Sequence, residues 1–280
     1  MTIRVNQLGE QIGAEVLGAD VRDLDAEGFD TIYQAWLRYN VVAVRDQEID
    51  IPQFLEYSRR FGGLSEHPSK KTRHPDYAQL TVLGVDKFDE KGNLDVAIYR
   101  RGAANWHTDG AYDDLPFKAT QLYALAIPSR GGDTMFASMY AAYEALSEEL
   151  KAKLVGRLGA FTYGGRTNQS SALLNPEDRD AKPAYHPILR VHPETGRTGL
   201  YFDPGKILRI EGYEPQESED LIEALTDRMI QPDAQYRHVW RKGDIVIWDN
   251  RCSYHRATAD YPPEEDRIHW RVSIKEPQAV

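Results

Sequence analysis

A β-sandwich or barrel with a few covering helices is the fold class this sequence predicts. Three observations carry it. Many short strand-like runs are separated by Gly, Pro or Asp. Helical periodicity is confined to a few segments. No internal repeat or low-complexity tract interrupts the pattern. A chain of 280 residues can bury a large core and suits one domain over 1–280.

The elements follow in order. Residues 23–40 read as a helix, because Leu24, Phe29, Ile32, Tyr33, Trp36 and Leu37 recur at helical spacing. Val41, Val42, Ala43 and Val44 form a buried strand, followed by a short helix over 52–61. Residues 62–105 are turn-rich and polar, with one strand-like run at 80–85, and a loop-rich lid over a cleft is expected around 64–105. The core sheet is expected to begin near Trp106, with strands at 119–127 and 134–137. Ser138 is placed to cap a helix over 139–146, and Ser147 opens another helical turn. Short strands are expected at 158–163, 188–192, 199–202 and 208–210, then an acidic amphipathic helix over 215–230. Strands at 236–240, 244–248 and 270–274 close the series.

Composition removes several function classes. The net charge of −10 argues against general nucleic-acid or anionic-membrane binding, since both need a basic footprint. No apolar run is long enough to cross a bilayer, and Met1-Thr2-Ile3-Arg4-Val5-Asn6 lacks the basic-then-apolar pattern of a secretory signal. The single cysteine, Cys252, reads as a small buried side chain and fits a reducing cytoplasm. Local cations at Lys70-Lys71-Thr72-Arg73 and Arg100-Arg101 leave room for an anionic small molecule.

Asn105-Trp106-His107-Thr108-Asp109 carries the chemistry. On a strand, His107 and Asp109 would project from one face. A second run, Gly243 to Asn250, leads to His255. Two imidazoles and one carboxylate are the ligand set that holds non-heme Fe(II) and leaves positions open for oxygen and substrate. His186, His192 and His238 are read as structural, and His269 is expected to face away from Arg267 and Arg271.

Gly131-Gly132-Asp133-Thr134, then Trp248-Asp249-Asn250-Arg251, His255 and Arg267 follow in an order that resembles the taurine/α-ketoglutarate dioxygenase family. That family includes the aryloxyacetate and alkylsulfatase-type dioxygenases. The resemblance runs from Ile12-Gly13-Ala14-Glu15 to Arg267-Ile268-His269-Trp270-Arg271. It implies a double-stranded β-helix, or jelly roll, with Fe(II) held by His107, Asp109 and His255. It implies 2-oxoglutarate and O2 as co-substrates, with Thr134 and Arg267 gripping the far carboxylate of the keto acid. The reaction implied is hydroxylation of an unactivated C–H bond, with release of succinate and carbon dioxide. Halogenating relatives lack the carboxylate ligand, so Asp109 favours hydroxylation. Relatives of this kind often form dimers or tetramers, and the same is expected here.

The substrate pocket departs from the taurine pattern. Arg271 and His67 match the pair that grips the sulfonate in taurine-specific members; the bland alternative for Arg271 is an ion pair with Glu264, Glu265 or Asp266. Lys70 stands where those members have Tyr, Ala103 where they have Asn, and Lys206 where they have Phe; Tyr163 is the other pocket aromatic. A larger or more highly charged organic anion than taurine is therefore expected. Two rivals stay open. A zinc hydrolase can use two His and one Asp with water in the open position, but has no use for a Thr134–Arg267 clamp. A binding module would take up the ligands without consuming oxygen.

Overall fold

Alternate side chains of the central strands are apolar on both faces, so the sheet they form is covered on both sides. The computed structural model describes residues 2–66, 73–84, 104–166 and 182–276. Sixteen strands run β1 Arg4–Gln7, β2 Ala14–Leu17, β3 Val41–Val44, β4 Gly63–Ser65, β5 Thr81–Leu83, β6 Phe117–Ala126, β7 Thr134–Ser138 and β8 Leu158–Phe161 in the first half. The second half holds β9 Ala184–Pro187, β10 Leu189–Val191, β11 Thr198–Leu200, β12 Ile207–Ile210, β13 Gln235–His238, β14 Ile245–Asp249, β15 Ser253–Ala257 and β16 Ile268–Lys275. Among the described residues the α-helices are α1 Ala26–Tyr39, α2 Ile51–Arg59, α3 Met139–Glu144, α4 Glu148–Leu154 and α5 Pro215–Thr226.

The large sheet has the order β1-β2-β3-β14-β6-β16-β4, with β5 also on β16, and a smaller sheet has the order β13-β7-β15. Period-two alternation sorts the large sheet's side chains. Val42, Val44, Ile245 and Ile247 pack with Ile32, Trp36 and Phe54 of α1 and α2. Val41, Ala43, Val246, Trp248, Leu122 and Ala124 pack instead with Phe136, Tyr236 and Trp240 of the smaller sheet. The chain is thus mostly sheet with few helices, and two sheets face each other across an aromatic layer. A third cluster, including Met139, Leu200, Ile222 and Leu225, seats α3 and α5.

Local signals set the ends of the helices. Asp25 caps α1 by accepting the Gly28 N–H at 2.7 Å, and Asn40 ends it in the left-handed region at φ 63°. Asp50 and Gln53 form a reciprocal capping box on α2. Ser138 caps α3 as expected, through the Ala141 N–H.

Several expectations need correction. The expected strand near Trp106 is absent: His107 makes one isolated bridge, to His255, and Asp109 lies in a turn. Strands β1, β2, β4, β9 and β15 were not anticipated, and β15 is the one that carries His255. Much of the expected lid, including His67, Lys70, Arg100, Arg101 and Ala103, lies outside the described residues. Among the described residues no helix is long and apolar enough to cross a membrane.

One buried charge network ties the large sheet to its surroundings. Arg251 reaches Asp249 through Nε at 2.8 Å and Nη2 at 2.6 Å, and Glu194 and Glu276 through Nη1 at 2.7 and 2.6 Å. Asp249, His192 and Cys252 lie close enough together to suggest a metal site. The guanidinium already occupies both carboxylate oxygens, so this group is a structural ion pair. Burial alone would raise the Asp249 carboxyl, but Arg251 outweighs it and holds the group well below the usual carboxylate range. Arg251→Met is expected to destabilise the fold by about 3–5 kcal/mol, because it leaves the buried Asp249 carboxylate without its cation. Urea unfolding of the variant checks this; a change under about 1 kcal/mol would mean that the network contributes nothing beyond a surface pair.

Candidate active site

Two chain segments meet at the site through backbone bonds. His107 N–H donates to the His255 carbonyl at 3.1 Å, and His255 N–H donates back to the His107 carbonyl at 2.9 Å. This pairing brings the two imidazoles to a centroid separation of 4.1 Å. His255 is further fixed by the rings of Trp248, at 4.7 Å, and Phe136, at 6.3 Å. His107 Nδ1 lies 2.8 Å from the Asn105 carbonyl, which orients that ring.

Asp109 is held by a different set. Thr120 Oγ1 donates to its Oδ2 at 2.8 Å, and Arg271 Nη2 lies 2.9 Å from its Oδ1. Asn250 organises this arrangement: its Oδ1 accepts from Trp248 Nε1 at 2.9 Å and from the Asp109 N–H at 3.4 Å, while its Nδ2 donates to Thr120 at 3.0 Å. Between His107 and Asp109, the buried Thr108 donates its hydroxyl to the Asn250 carbonyl at 2.8 Å. The Trp-Asp-Asn-Arg motif thus serves as the frame behind the His-x-Asp turn. Motif order marks it in sequence, but only the fold shows it as this frame.

One donor atom each from His107, Asp109 and His255 lies within 4.8 Å of the others. Asp109 Oδ2 is 3.6 Å from His255 Nε2. Burial, and then His107, push the His255 imidazole well below its ordinary pKa, so it is neutral and has a lone pair for a metal. Burial would raise Asp109, but the Arg271 guanidinium outweighs it, with the Thr120 hydroxyl acting in the same direction, and keeps the carboxyl well below its usual range. Neutral imidazole plus carboxylate is the donor set that suits a divalent first-row metal.

A second group lies next to it. Arg267 Nε donates to the Gly132 carbonyl at 2.6 Å, and Nη2 lies 3.4 Å from Thr134 Oγ1. Thr134 Oγ1 also accepts from Trp240 Nε1 at 3.0 Å. Gly132 adopts φ +69°, and a Cβ there would meet Arg267 Cδ and Nε at 3.1–3.2 Å. The glycine therefore serves both the turn and the close approach of the guanidinium. Burial lowers the Arg267 pKa, which marks a desolvated cation.

On the Asp109 side, the rings of Tyr112 and Tyr163 meet edge to face at 4.9 Å. Lys206 Nζ lies 4.2 Å from the Tyr163 ring centre and donates to the Tyr163 carbonyl at 2.7 Å. Burial lowers the Lys206 pKa, while the nearby Asp203 and Asp109 oppose that shift. Tyr163, Lys206 and Arg271 are thus brought together beside Asp109. Tyr112 joins them unanticipated, although it lies three residues after Asp109 in the same turn-rich segment. Arg271 pairs with Asp109 rather than with Glu264, Glu265 or Asp266. His67 and Lys70 lie outside the described residues.

His186, His192 and His238 make structural contacts, and the expectation for His269 needs correction. His186 Nε2 lies 3.0 Å from the Asp113 carbonyl, His192 Nε2 3.0 Å from Asp249, and His238 Nδ1 2.9 Å from Tyr236 Oη. His269 does not face away from Arg267. It is fully buried against Trp240, and the Arg267 charge acts on it. Residues 267, 269 and 271 are two apart, which on an extended chain puts them on one side.

Residues 4–273 match the model of the family described as taurine catabolism dioxygenase TauD, TfdA family. The chain belongs to this family. It is 35% identical to the (S)-phenoxypropionate/alpha-ketoglutarate-dioxygenase of Sphingobium herbicidovorans, over 95% of this chain and 93% of that protein. It is 31% identical to the alpha-ketoglutarate-dependent sulfate ester dioxygenase of Pseudomonas putida, over 98% of this chain and 90% of that protein. Among solved structures, AAD-2 in complex with Mn(II) and N-oxalylglycine aligns with a TM-score of 0.78 at 26% identity, covering 99% of this chain and 98% of that one. The protein is a 2-oxoglutarate-dependent dioxygenase that uses Fe(II), 2-oxoglutarate and O2. None of these relatives supports the hydrolase alternative.

Proposed function

We propose that this enzyme hydroxylates an unactivated C–H bond of a small organic anion, a carboxylate, sulfonate or sulfate ester, on a jelly-roll scaffold. His107, Asp109 and His255 hold Fe(II) in this reading, and Thr134 with Arg267 grips the far carboxylate of 2-oxoglutarate. The bound metal, keto acid and dioxygen supply the oxidising chemistry, releasing succinate and carbon dioxide. The protein's part is placement and exclusion of water. The family supports the reaction class; the substrate class rests on this chain's own side chains.

The observation that carries the substrate reading is the cluster on Asp109. Arg271 at 2.9 Å and the partly buried Lys206 put two cations beside the ligand set of a protein whose net charge is −10. Tyr112 and Tyr163 add an aromatic wall at 4.9 Å from each other. Paired cations recognise an anionic head, and the tyrosine rings suit an apolar or aromatic body. Aryloxyalkanoates and alkyl sulfates have both parts, whereas taurine has almost no body. Substrate-dependent succinate release across a panel of such acids tests this. Turnover of aryloxyalkanoates or alkyl sulfates is expected; activity on taurine alone would overturn it. With the best acid in hand, Lys206→Met is expected to raise KM about tenfold with little change in kcat, the effect of one lost charge-assisted contact made equally in ground and transition states.

A further inference from the structure

Trp240 is in ring contact with two histidines, His238 and His269. The His238 and His269 rings each meet the indole edge to face, with ring centroids at 4.5 Å and interplanar angles of 83° and 69°. Both imidazoles are fully buried. Their polar atoms fare differently. His238 Nδ1 is bonded to Tyr236 Oη at 2.9 Å, while its Nε2 faces Asp244 at 3.3 Å without forming a hydrogen bond. His269 has no hydrogen-bond partner on either ring nitrogen among the described residues. Leaving a buried donor unmatched costs about 1–3 kcal/mol, so such a group calls for a ligand that completes it.

The neighbours of His269 indicate which ligand. Its indole neighbour donates Nε1 to the Thr134 hydroxyl at 3.0 Å, and Arg267 reaches the same hydroxyl at 3.4 Å. Two residues further along β16, Arg271 lies 2.9 Å from Asp109. His269 therefore stands between the arginine of the keto-acid clamp and the arginine at the metal ligands. At this point the β16–β6 register shifts, between Ile268 and His269.

We propose that His269 is a third donor to the far carboxylate of 2-oxoglutarate, beside Arg267 and Thr134. The inference rests on the reading of those two residues as the clamp. Burial, then the Arg267 charge, keep the imidazole well below its ordinary pKa. It is therefore neutral, with one N–H to donate and no added cationic repulsion against Arg267. The carboxylate would accept that N–H and so satisfy a donor that the protein itself leaves unmatched.

The test uses full-length Fe(II) protein without oxygen, titrated with 2-oxoglutarate and, separately, with 2-oxopentanoate, which lacks the far carboxylate. The visible absorption of the chelate reports binding without turnover. His269→Leu is expected to weaken 2-oxoglutarate about tenfold, the equivalent of one hydrogen bond to a charged group, and to leave 2-oxopentanoate unchanged. His269→Gln, which keeps a donor, should recover most of the loss. Unchanged affinity, or equal weakening for both keto acids, overturns the proposal and leaves His269 a packing residue. In the unmutated Zn(II)-substituted protein, the His269 ring nitrogen resonances should move when 2-oxoglutarate is added; unmoved resonances overturn the proposal even if the leucine variant fails to fold. Arg267→Ala, run alongside, separates the two levels. If it too leaves binding unchanged, the clamp reading has failed; if it alone weakens binding, only the role of His269 has.

Discussion

His255→Ala is expected to abolish metal-dependent turnover while leaving a folded protein. Only His107 and Asp109 would remain as donors of the set whose atoms lie within 4.8 Å. Two ligands hold a divalent ion far more weakly than three, because each protein ligand replaces a water at a position already fixed by the fold. The fold should survive because the bonds joining His107 to residue 255 are backbone bonds, at 3.1 and 2.9 Å, which alanine keeps. The lost ring contacts with Trp248 and Phe136 leave a cavity, at a cost of a few kcal/mol by analogy with other large-to-alanine changes, about 3–5 at most. Metal titration followed by absorption in the Co(II)-substituted protein, with urea unfolding beside it, separates the two effects. Wild-type metal affinity in this variant would remove His255 from the ligand set.

The parts of this site that are legible in sequence are those that chemistry restricts to few residue types. In the proposed site His107, Asp109 and His255 supply two imidazoles and an acid, and Thr134 and Arg267 a hydroxyl and a fork of N–H donors, so their order along the chain stands out. The strand bearing His255 is less visible. Ser253-Tyr254-His255-Arg256-Ala257 has no β-branched run, and it is a strand because β7 pairs with it over all five residues. The His-x-Asp turn misleads in the opposite direction: its spacing suits a strand, yet Asn250, Thr120 and Thr108 hold it as a bridge and a turn. Tyr112 escapes notice because an aromatic after a metal motif has many packing uses. The helices are legible because their apolar periodicity records which face is buried, and the central strands β3 and β14 because their unbroken apolar runs record burial on both faces.

Arg267→Ala is expected to raise the 2-oxoglutarate requirement steeply, with the metal site intact. The guanidinium is half-buried beside Thr134, and its Nε is already committed to the Gly132 carbonyl at 2.6 Å, which fixes the plane of the fork. A side chain held in this way loses little entropy when it meets a carboxylate. Removing it costs the charged hydrogen bond, about 1.5–3 kcal/mol, which corresponds to roughly 10- to 150-fold in the dissociation constant. The actual loss should lie at the upper end, because a carboxylate beside Trp240 and without its cation would be desolvated and unpaired. His107, Asp109 and His255 are held by other residues, so metal affinity without the keto acid should not change. Saturating 2-oxoglutarate should restore most of kcat, since the arginine acts on binding of the far end and not at the reacting carbon. Anaerobic titration of the Fe(II) protein, followed by succinate release at several keto-acid concentrations, measures both quantities. An unchanged dissociation constant would show that the far carboxylate lies elsewhere, and the pocket of Thr134, Trp240 and Gly132 would then need another occupant.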